Sequence, residues 1–298
     1  GDVPCMIIFH RAADMRPYLS KKRASGESVG LVPTMGALHP GHLRLIAEAR
    51  RRCDTVVVSI FVNPTQFNDA SDFAHYPTPL AQDLDLLLQN GCDVLYLPSV
   101  AEIYPQGTTD LPLYAIGYLD TILEGKYRPG HFQGVCQVVD RLLQAVHPDI
   151  LFLGQKDLQQ CRVIARLLQL TPHGHTTRLE IVPTVREADG LALSSRNLRL
   201  TPAARSKALA LVQTLQLLKN QLRPGATEAL LQQAHAQVAA AGLAVDYVSI
   251  ADANTLLPCS NWDGQQQLVG LIAAYCDGVR LIDNMQLTGE ETGIVGSQ

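Results

Sequence analysis

The sequence of 298 residues lacks an excess of basic residues, with 24 Lys and Arg against 28 Asp and Glu. Proteins that bind nucleic acids neutralise the phosphate backbone with clustered Lys and Arg side chains. The net charge of −4 therefore argues against a nucleic-acid partner. Charged residues make up only 17% of the chain, whereas apolar residues make up 47%, which is enough for a large buried core.

The seven cysteines are scattered, and none forms a C-x-x-C pair. This spacing disfavours both a structural zinc site and a disulfide framework, so reduced thiols are expected. The sequence has no run of 18 apolar residues, so no membrane span is predicted. No signal peptide is visible either. These features predict a cytoplasmic protein that binds no membrane.

Short apolar segments alternate with helical patterns up to about residue 183, which indicates a parallel sheet covered on both faces. The predicted fold class is α/β, with a doubly wound, Rossmann-like parallel sheet followed by a second, smaller α+β C-terminal domain. The strands are expected at residues 29–32, 55–60, 94–97, 150–153 and 179–182, and the helices at 41–52, 80–89, 134–146 and 157–170.

The pattern changes after this region. Two helices, at residues 202–220 and 226–241, precede two strands, at residues 245–251 and 268–275. We therefore predict a Rossmann-like domain over residues 1–184, a smaller lid domain over residues 185–284 and a mobile tail over residues 285–298.

The first predicted strand leads into the sequence P-T-M-G-A-L-H-P-G-H at residues 33–42. Ligands of open α/β sheets bind beyond the carboxyl ends of the strands, and a helix N-terminus attracts phosphate. Gly36 and Gly41 allow a nucleotide to approach the backbone closely. His39 and His42 are three residues apart, so they share one face of the first helical turn and could bind triphosphate oxygens. The alternative is an exposed loop with two incidental histidines.

Polar residues follow two other strands. Asn63 and Gln66 come after the strand at residues 55–60, and their amides suit a substrate with hydroxyl and carboxylate groups. Lys156 and Asp157 follow the strand at residues 150–153, where a lysine can stabilise a transferring phosphoryl group. The alternatives are turn capping by Asn63 and a solvated lysine at a helix start.

A third polar cluster, Ser194, Ser195 and Arg196, lies just beyond the predicted domain boundary. Two hydroxyls and a guanidinium without acidic neighbours favour anion binding. Helix capping by the two serines is the alternative.

The signature at residues 33–42 resembles that of the pantothenate synthetases, within the H-x-G-H nucleotidyl-transferase superfamily. Other segments resemble the same family in the same order, so the similarity extends from about residue 6 to 284. These segments lie at residues 59–67, 76–77, 124–125, 128–129, 131–132, 154–160, 182–187 and 188–197.

This resemblance implies that ATP is a co-substrate with Mg²⁺. Lys156 would stabilise the α-phosphate, Val185 would lie beside the adenine, and Asp83 would sit near the metal and hold it through water. The alternative for Asp83 is an exposed helix residue without a ligand role. The implied ATP-binding residues are Met35, Gly36, Ala37, Leu38, His39, Pro40, Gly41, His42, Gly154, Gln155, Lys156, Asp157, Val185, Leu193, Ser194, Ser195 and Arg196.

The resemblance further implies the ATP-dependent condensation of pantoate with β-alanine through a pantoyl-adenylate, with release of AMP and pyrophosphate. Gln66, Gln160 and Asn63 would bind the substrates pantoate and β-alanine, and His42, His39 and Lys156 would be the catalytic residues. The family also implies a homodimer.

Some positions depart from the family pattern. Leu193 stands where the family usually has Met, Gln155 replaces a common Glu, and Gln82 replaces a common acidic residue. The first two lie near the expected phosphate site, and neither removes a group that the chemistry needs. Two other functions remain open at this point: an adenylyltransferase of the same superfamily, which would need a cationic pocket for a phosphate ester, and a non-catalytic nucleotide-binding regulator.

Overall fold

The computed structural model describes residues 3–289. These residues divide into two compact units. The first unit contains residues 3–155 and 163–182, and the second contains residues 156–162 and 183–289. The division at residue 183 lies two positions before the predicted boundary, whereas no sequence pattern indicated that residues 156–162 group with the second unit.

A six-stranded parallel sheet forms the centre of the first unit, with the strand order β1-β4-β3-β2-β5-β6. The strands in chain order are β1 (Ile7–Phe9), β2 (Val29–Thr34), β3 (Thr55–Ile60), β4 (Val94–Tyr96), β5 (Ile150–Gly154) and β6 (Arg178–Val182). The order reverses between β2 and β5, which are neighbours. Such a switch point is where open α/β sheets bind ligands, beyond the carboxyl ends of the two strands.

Helices cover both faces of this sheet, and all six residues of β3 are consequently buried. The helices of this part of the chain are α1 (Ala12–Ala24), α2 (Pro40–Arg52), α3 (Ala70–Ala74), α4 (Leu80–Gln89), α5 (Val100–Ile103), α6 (Glu124–Tyr127), α7 (His131–Val146) and α8 (Leu158–Leu170). Leu45 and Ile46 of α2 share one buried apolar cluster with Val58 and Phe152, which fixes α2 against the sheet. The start of α2 is thereby held at the end of β2.

The second unit combines a three-stranded antiparallel sheet with three helices. Its elements are α9 (Pro202–Ala208), α10 (Ala210–Gln221), β7 (Gly225–Ala226), α11 (Glu228–Ala240), β8 (Ala244–Asp252), β9 (Asn261–Trp262), β10 (Leu268–Cys276) and β11 (Val279–Gln286). Strand β10 lies between β8 and β11, and β7 pairs with β9 in a separate ribbon. The core includes Leu215 and Leu218 of α10 with Leu268 and Ile272 of β10.

The predicted fold class is confirmed, including the smaller α+β region. Several elements differ from the prediction. Strands β1 and β11 and helix α1 were not predicted, and the helix predicted at residues 202–220 is interrupted at Leu209. The predicted mobile tail is wrong at its start because Met285 lies in β11 and Leu287 is only 5% exposed. The rest of that tail, from residue 290, lies outside the described residues.

Among residues 3–289, no helix combines the length and apolar character needed to cross a bilayer.

Candidate active site

The turn after β2 has an unusual backbone, which a buried carboxylate holds in place. Gly36 and Ala37 both have positive φ, at 81° and 52°. The Asp83 side chain, only 2% exposed, accepts hydrogen bonds from the backbone N–H groups of Ala37 and Leu38, each at 2.8 Å. Successive N–H groups in such a turn form a concavity that suits an anion. In this protein the anion is supplied by Asp83.

The two histidines of the H-x-G-H motif form the first turn of α2. Nδ1 of His39 accepts a hydrogen bond from the N–H of Gly41 at 3.0 Å, and Nδ1 of His42 accepts one from the N–H of His39 at 3.2 Å. This is a reciprocal capping box in which imidazoles replace the usual hydroxyl and carboxylate. The two ring centroids are 4.0 Å apart.

These contacts also determine the tautomer of both rings. A neutral imidazole that accepts through Nδ1 carries its hydrogen on Nε2. In the neutral form, the Nε2–H group of each ring is therefore a donor, and both rings belong to the first turn of α2, at the positive end of its dipole. The arrangement suits an anion with several oxygens, such as a polyphosphate.

The amide of Asn63 is held by other protein groups rather than facing outward. Its Nδ2 donates to Oε1 of Gln66 at 3.2 Å and to the carbonyl oxygen of Gly134 at 3.0 Å. Its Oδ1 accepts from Tyr104 Oη at 2.6 Å and from Thr65. Burial raises the pKa of Tyr104, so its hydroxyl remains a donor near neutral pH. Direct contact between Asn63 and substrate stays a prediction.

The Asn63 network orients Gln66, which is 8% exposed. Because Oε1 of Gln66 accepts from Asn63, the Nε2 group must point elsewhere, where it can donate to a carboxylate or hydroxyl. His131, at the start of α7, bonds the Gln66 carbonyl oxygen through Nδ1 at 2.7 Å. Both the side chain and the backbone of Gln66 are thus fixed.

Gly134 of α7 allows this arrangement because it has no side chain. A Cβ at that position would lie 2.3 Å from the Thr65 carbonyl oxygen and 2.5 Å from Cα and N of Gln66. The helix therefore approaches the turn at residues 64–66 more closely than any residue with a Cβ permits.

The polar segment at residues 155–160 follows β5 directly. Gln155 is fully buried, while Lys156, Asp157 and Gln160 are partly buried. The nearest approach of Lys156 Nζ to Asp157 Oδ1 is 4.0 Å. The structure does not test the predicted contacts of these residues with ATP or pantoate.

In the second unit, residues 185–193 form a small hairpin. The N–H of Leu193 donates to the carbonyl oxygen of Val185 at 3.0 Å, and Arg186 pairs with Ala192. The hairpin leads directly into a turn that Ser194 caps, because its Oγ accepts from the N–H of Arg196 at 3.2 Å. Capping uses an acceptor site of the hydroxyl, so its hydrogen can still be donated to an anion.

Two of the predicted anion-binding segments share one pocket in the second unit. Lys156 and Ser194 line it together with Asn197 and Asp283. Residues from segments far apart in the sequence therefore line one small space, which apolar side chains such as Leu191 and Leu211 also line. Lysine and serine are residue types that bind phosphate oxygens.

The sequence analysis missed the supporting roles of several residues. Tyr104 and His131 form hydrogen bonds that hold Asn63 and Gln66. Gly134 leaves the space that this arrangement needs, and Asp83 binds the backbone of the turn before α2. For Asp83, the sequence offered only a weak indication of this role, namely its position in the first turn of α4. Its predicted contact with a metal stays untested, and residues 3–289 contain no cluster of three acidic, His or Cys side chains arranged for a metal ion.

A parallel sheet whose switch-point strand leads into paired histidines at a helix start defines a nucleotide-binding α/β protein of the H-x-G-H type. The model of the family described as pantoate-beta-alanine ligase matches residues 7–286. The chain belongs to this ligase family.

Named relatives agree with this assignment. A pantothenate synthetase of Bacteroides thetaiotaomicron is 44% identical over 286 residues, covering 94% of this chain and 99% of the relative. The crystal structure of pantothenate synthetase from Thermus thermophilus matches with a TM-score of 0.86 and 40% identity, over 95% of this chain and all of that one. A pantoate-beta-alanine ligase from Francisella tularensis, complexed with beta-gamma ATP and beta-alanine, matches with a TM-score of 0.77 and 36% identity, over 96% and 99% of the two chains.

The role of Asp83 can be tested with Asp83→Asn. Asparagine offers one acceptor and places an NH₂ group against a backbone N–H, so one of the two bonds must be lost. We expect a loss of about 1–3 kcal/mol in the free energy of unfolding, measured by urea denaturation, and lower ligase activity. Asp85→Asn on the exposed side of the same helix is the matched control. Equal stability of the two variants would contradict the role.

The close approach at Gly134 predicts that Gly134→Ala lowers the stability of the protein, whereas this substitution in a helix usually raises it. Replacing a helical glycine with alanine ordinarily stabilises a protein by up to about 1 kcal/mol. At this position the new Cβ would force the helix away from Gln66, so we expect destabilisation of about 1–3 kcal/mol and a raised KM for pantoate. Gln144→Ala, at an exposed position of α7, serves as the control in the same unfolding experiment. A Gly134→Ala protein more stable than wild type would show that no such contact exists.

Proposed function

We propose that this protein catalyses the ATP-dependent condensation of pantoate with β-alanine through a pantoyl-adenylate. The observation that carries the proposal is the pair of imidazoles at the start of α2, each of which accepts a backbone hydrogen bond through Nδ1. A neutral imidazole that accepts through Nδ1 donates through Nε2, and two such donors beside a helix N-terminus suit the negative charge that develops at a phosphorus under attack.

In the first step, a carboxylate oxygen of pantoate attacks the α-phosphorus of ATP. A new P–O bond forms to the carboxylate, and the bond from the α-phosphorus to the bridging oxygen of pyrophosphate breaks. Negative charge grows on the oxygens around the phosphorus. His42, His39 and Lys156 are proposed to stabilise that charge as donors, which lowers the barrier without any covalent enzyme intermediate.

Pantoate carries a carboxylate and two hydroxyl groups, and it therefore needs donors and acceptors more than a full positive charge. Gln66 supplies an Nε2 donor whose direction is set by Asn63. Gln160 is proposed as the second amide. Neutral amides at these two positions fit a carboxylate substrate better than the phosphate ester of an adenylyltransferase.

In the second step, the amine of β-alanine attacks the acyl carbon of the adenylate. The C–N bond forms, the C–O bond to AMP breaks, and the amine loses a proton. A free carboxylate is a poor electrophile, whereas AMP is a good leaving group. Formation of the adenylate therefore allows the amine to attack the acyl carbon and form the amide bond. Positioning of the two substrates accounts for much of the rate.

The remaining residues are proposed to hold ATP. Ser194, Ser195 and Arg196 would bind phosphate oxygens, and Val185 would lie beside the adenine. Leu193 and the segments at residues 35–42 and 154–157 would provide further contacts. The Francisella relative, which is complexed with beta-gamma ATP and beta-alanine, supports two of the three substrates.

Mg²⁺ is proposed to enter with ATP as part of the substrate. It keeps most of its water ligands and is commonly held by phosphates with one or two carboxylates. Asp83 would contact the ion through water, using lone pairs that remain after its two backbone bonds. We also propose, from the family resemblance, a cytoplasmic homodimer.

An isotope experiment tests the adenylate directly. With pantoate labelled by ¹⁸O in its carboxylate, we expect one labelled oxygen to appear in AMP when ATP and β-alanine are supplied. This transfer follows because the oxygen that attacks phosphorus stays with AMP when the amide forms. Unlabelled AMP would exclude the adenylate, and AMP formation without pantoate would indicate another activity.

The role of His42 is tested in the first step alone, as pyrophosphate release from ATP and pantoate in a single turnover. His42→Gln and His42→Ala should slow this step by about a hundredfold or more, because each removes one oriented imidazole donor. His235→Gln, at an exposed position of α11, is the control. Near wild-type rates in both His42 variants would refute the role.

A further inference from the structure

Two neighbouring residues of β11 bind the two segments that line the pocket of the second unit. Asp283 and Asn284 are only 4% and 2% exposed. Asp283 forms a bidentate ion pair with Arg186, with distances of 2.7 and 2.9 Å. Nδ2 of Asn284 donates to the backbone carbonyl oxygen of Lys156 at 2.9 Å.

The Asn284 bond helps explain why residues 156–162 group with the second unit. At the other end of this segment, Nη2 of Arg162 donates to the carbonyl oxygen of Ala253 at 3.0 Å. The segment is therefore held at both ends, and the backbone of Lys156 is fixed relative to β11. This matters because the lysine ammonium lies on a flexible four-carbon chain, so its reach depends on where its backbone is held.

The Arg186 ion pair fixes the second segment. Arg186 also donates to the carbonyl oxygens of Gly190 at 3.0 Å and of Asn284 at 3.1 Å. It thus closes the hairpin at residues 185–193 and attaches it to β11. The hairpin ends at Ser194, whose position relative to the strand is set by this attachment.

We propose that Asp283 and Asn284 are positioning residues that hold Lys156 and the Ser194 turn at the separation needed to bind the phosphates of ATP. This inference rests on the proposed role of Lys156. Neither residue needs to touch a substrate. Both oxygens of Asp283 accept from Arg186, and the Asn284 amide donates to the Lys156 carbonyl.

Asn284→Asp is the most direct test because it keeps the shape of the side chain. The ionised carboxylate has no hydrogen to donate and would face the Lys156 carbonyl oxygen, so the two would repel. We expect kcat/KM for ATP to fall roughly tenfold or more. The KM for β-alanine should stay close to wild type. Thr227→Val is the matched control, since it removes another buried side chain to backbone bond of the second unit, from Thr227 Oγ1 to the Cys259 carbonyl oxygen.

A double-mutant cycle with Lys156→Ala separates positioning from simple loss of stability. If Asn284 acts through Lys156, Asn284→Asp should have little further effect on kcat/KM once Lys156 has lost its ammonium. An equal loss in both backgrounds would overturn the proposal, because it would indicate general destabilisation. Asn284→Ala provides a second variant if the aspartate variant does not fold, as judged by circular dichroism.

The same measurements distinguish failure of the inference from failure of its premise. If Lys156→Ala lowers kcat/KM for ATP while both Asn284 variants behave like Thr227→Val, the inference is wrong and the role of Lys156 stands. If Lys156→Ala itself matches wild type, the proposed role of Lys156 is wrong, and the positioning proposal is overturned with it.

Discussion

The carboxylate of Asp83 accepts hydrogen bonds from two successive backbone N–H groups in the turn between β2 and α2, and the geometry of the first unit's site depends on these bonds. Two residues with positive φ would be a strained way to enter a helix without such compensation. With the bonds in place, α2 begins at the residue that lets His39 and His42 cap each other. The bound carboxylate also has a chemical consequence. Since it accepts from the N–H groups of Ala37 and Leu38, these two backbone donors of the turn are already used within the protein.

Two residues show structural roles that the sequence analysis treated as alternatives to ligand binding. Asn63 caps the turn at residues 64–66, as the alternative stated, and through the same amide it orients Gln66. Ser194 likewise caps the turn that follows it while lining the pocket with Lys156. A side chain with several lone pairs and hydrogens can serve both purposes, because capping uses only part of its hydrogen-bonding capacity.

The sequence was sufficient to predict the fold class and, to within two residues, the bounds of five strands of the parallel sheet, because uniformly apolar segments such as β3 are typical of a parallel sheet covered on both faces. The sequence was less informative about short or weakly patterned elements. Strand β1 has only three residues, and α1 contains Pro17 and only a weak apolar face. Motif position singled out the two histidines and Gln66, whose roles with substrate stay predictions. The roles of Asp83, Gly134 and Asn284 depend on contacts between residues distant in the chain, which no local pattern reports.

The grouping of residues 156–162 with the second unit has a consequence for how the chain can be dissected. The partners of Asn284 and Ala253 come from a segment that precedes β6 of the first unit. A single cut near residue 183 would therefore separate the Asn284 amide donor from the Lys156 carbonyl oxygen, and the Ala253 carbonyl oxygen from its Arg162 donor. The two units alternate along the polypeptide, so neither of them corresponds to one contiguous stretch of sequence.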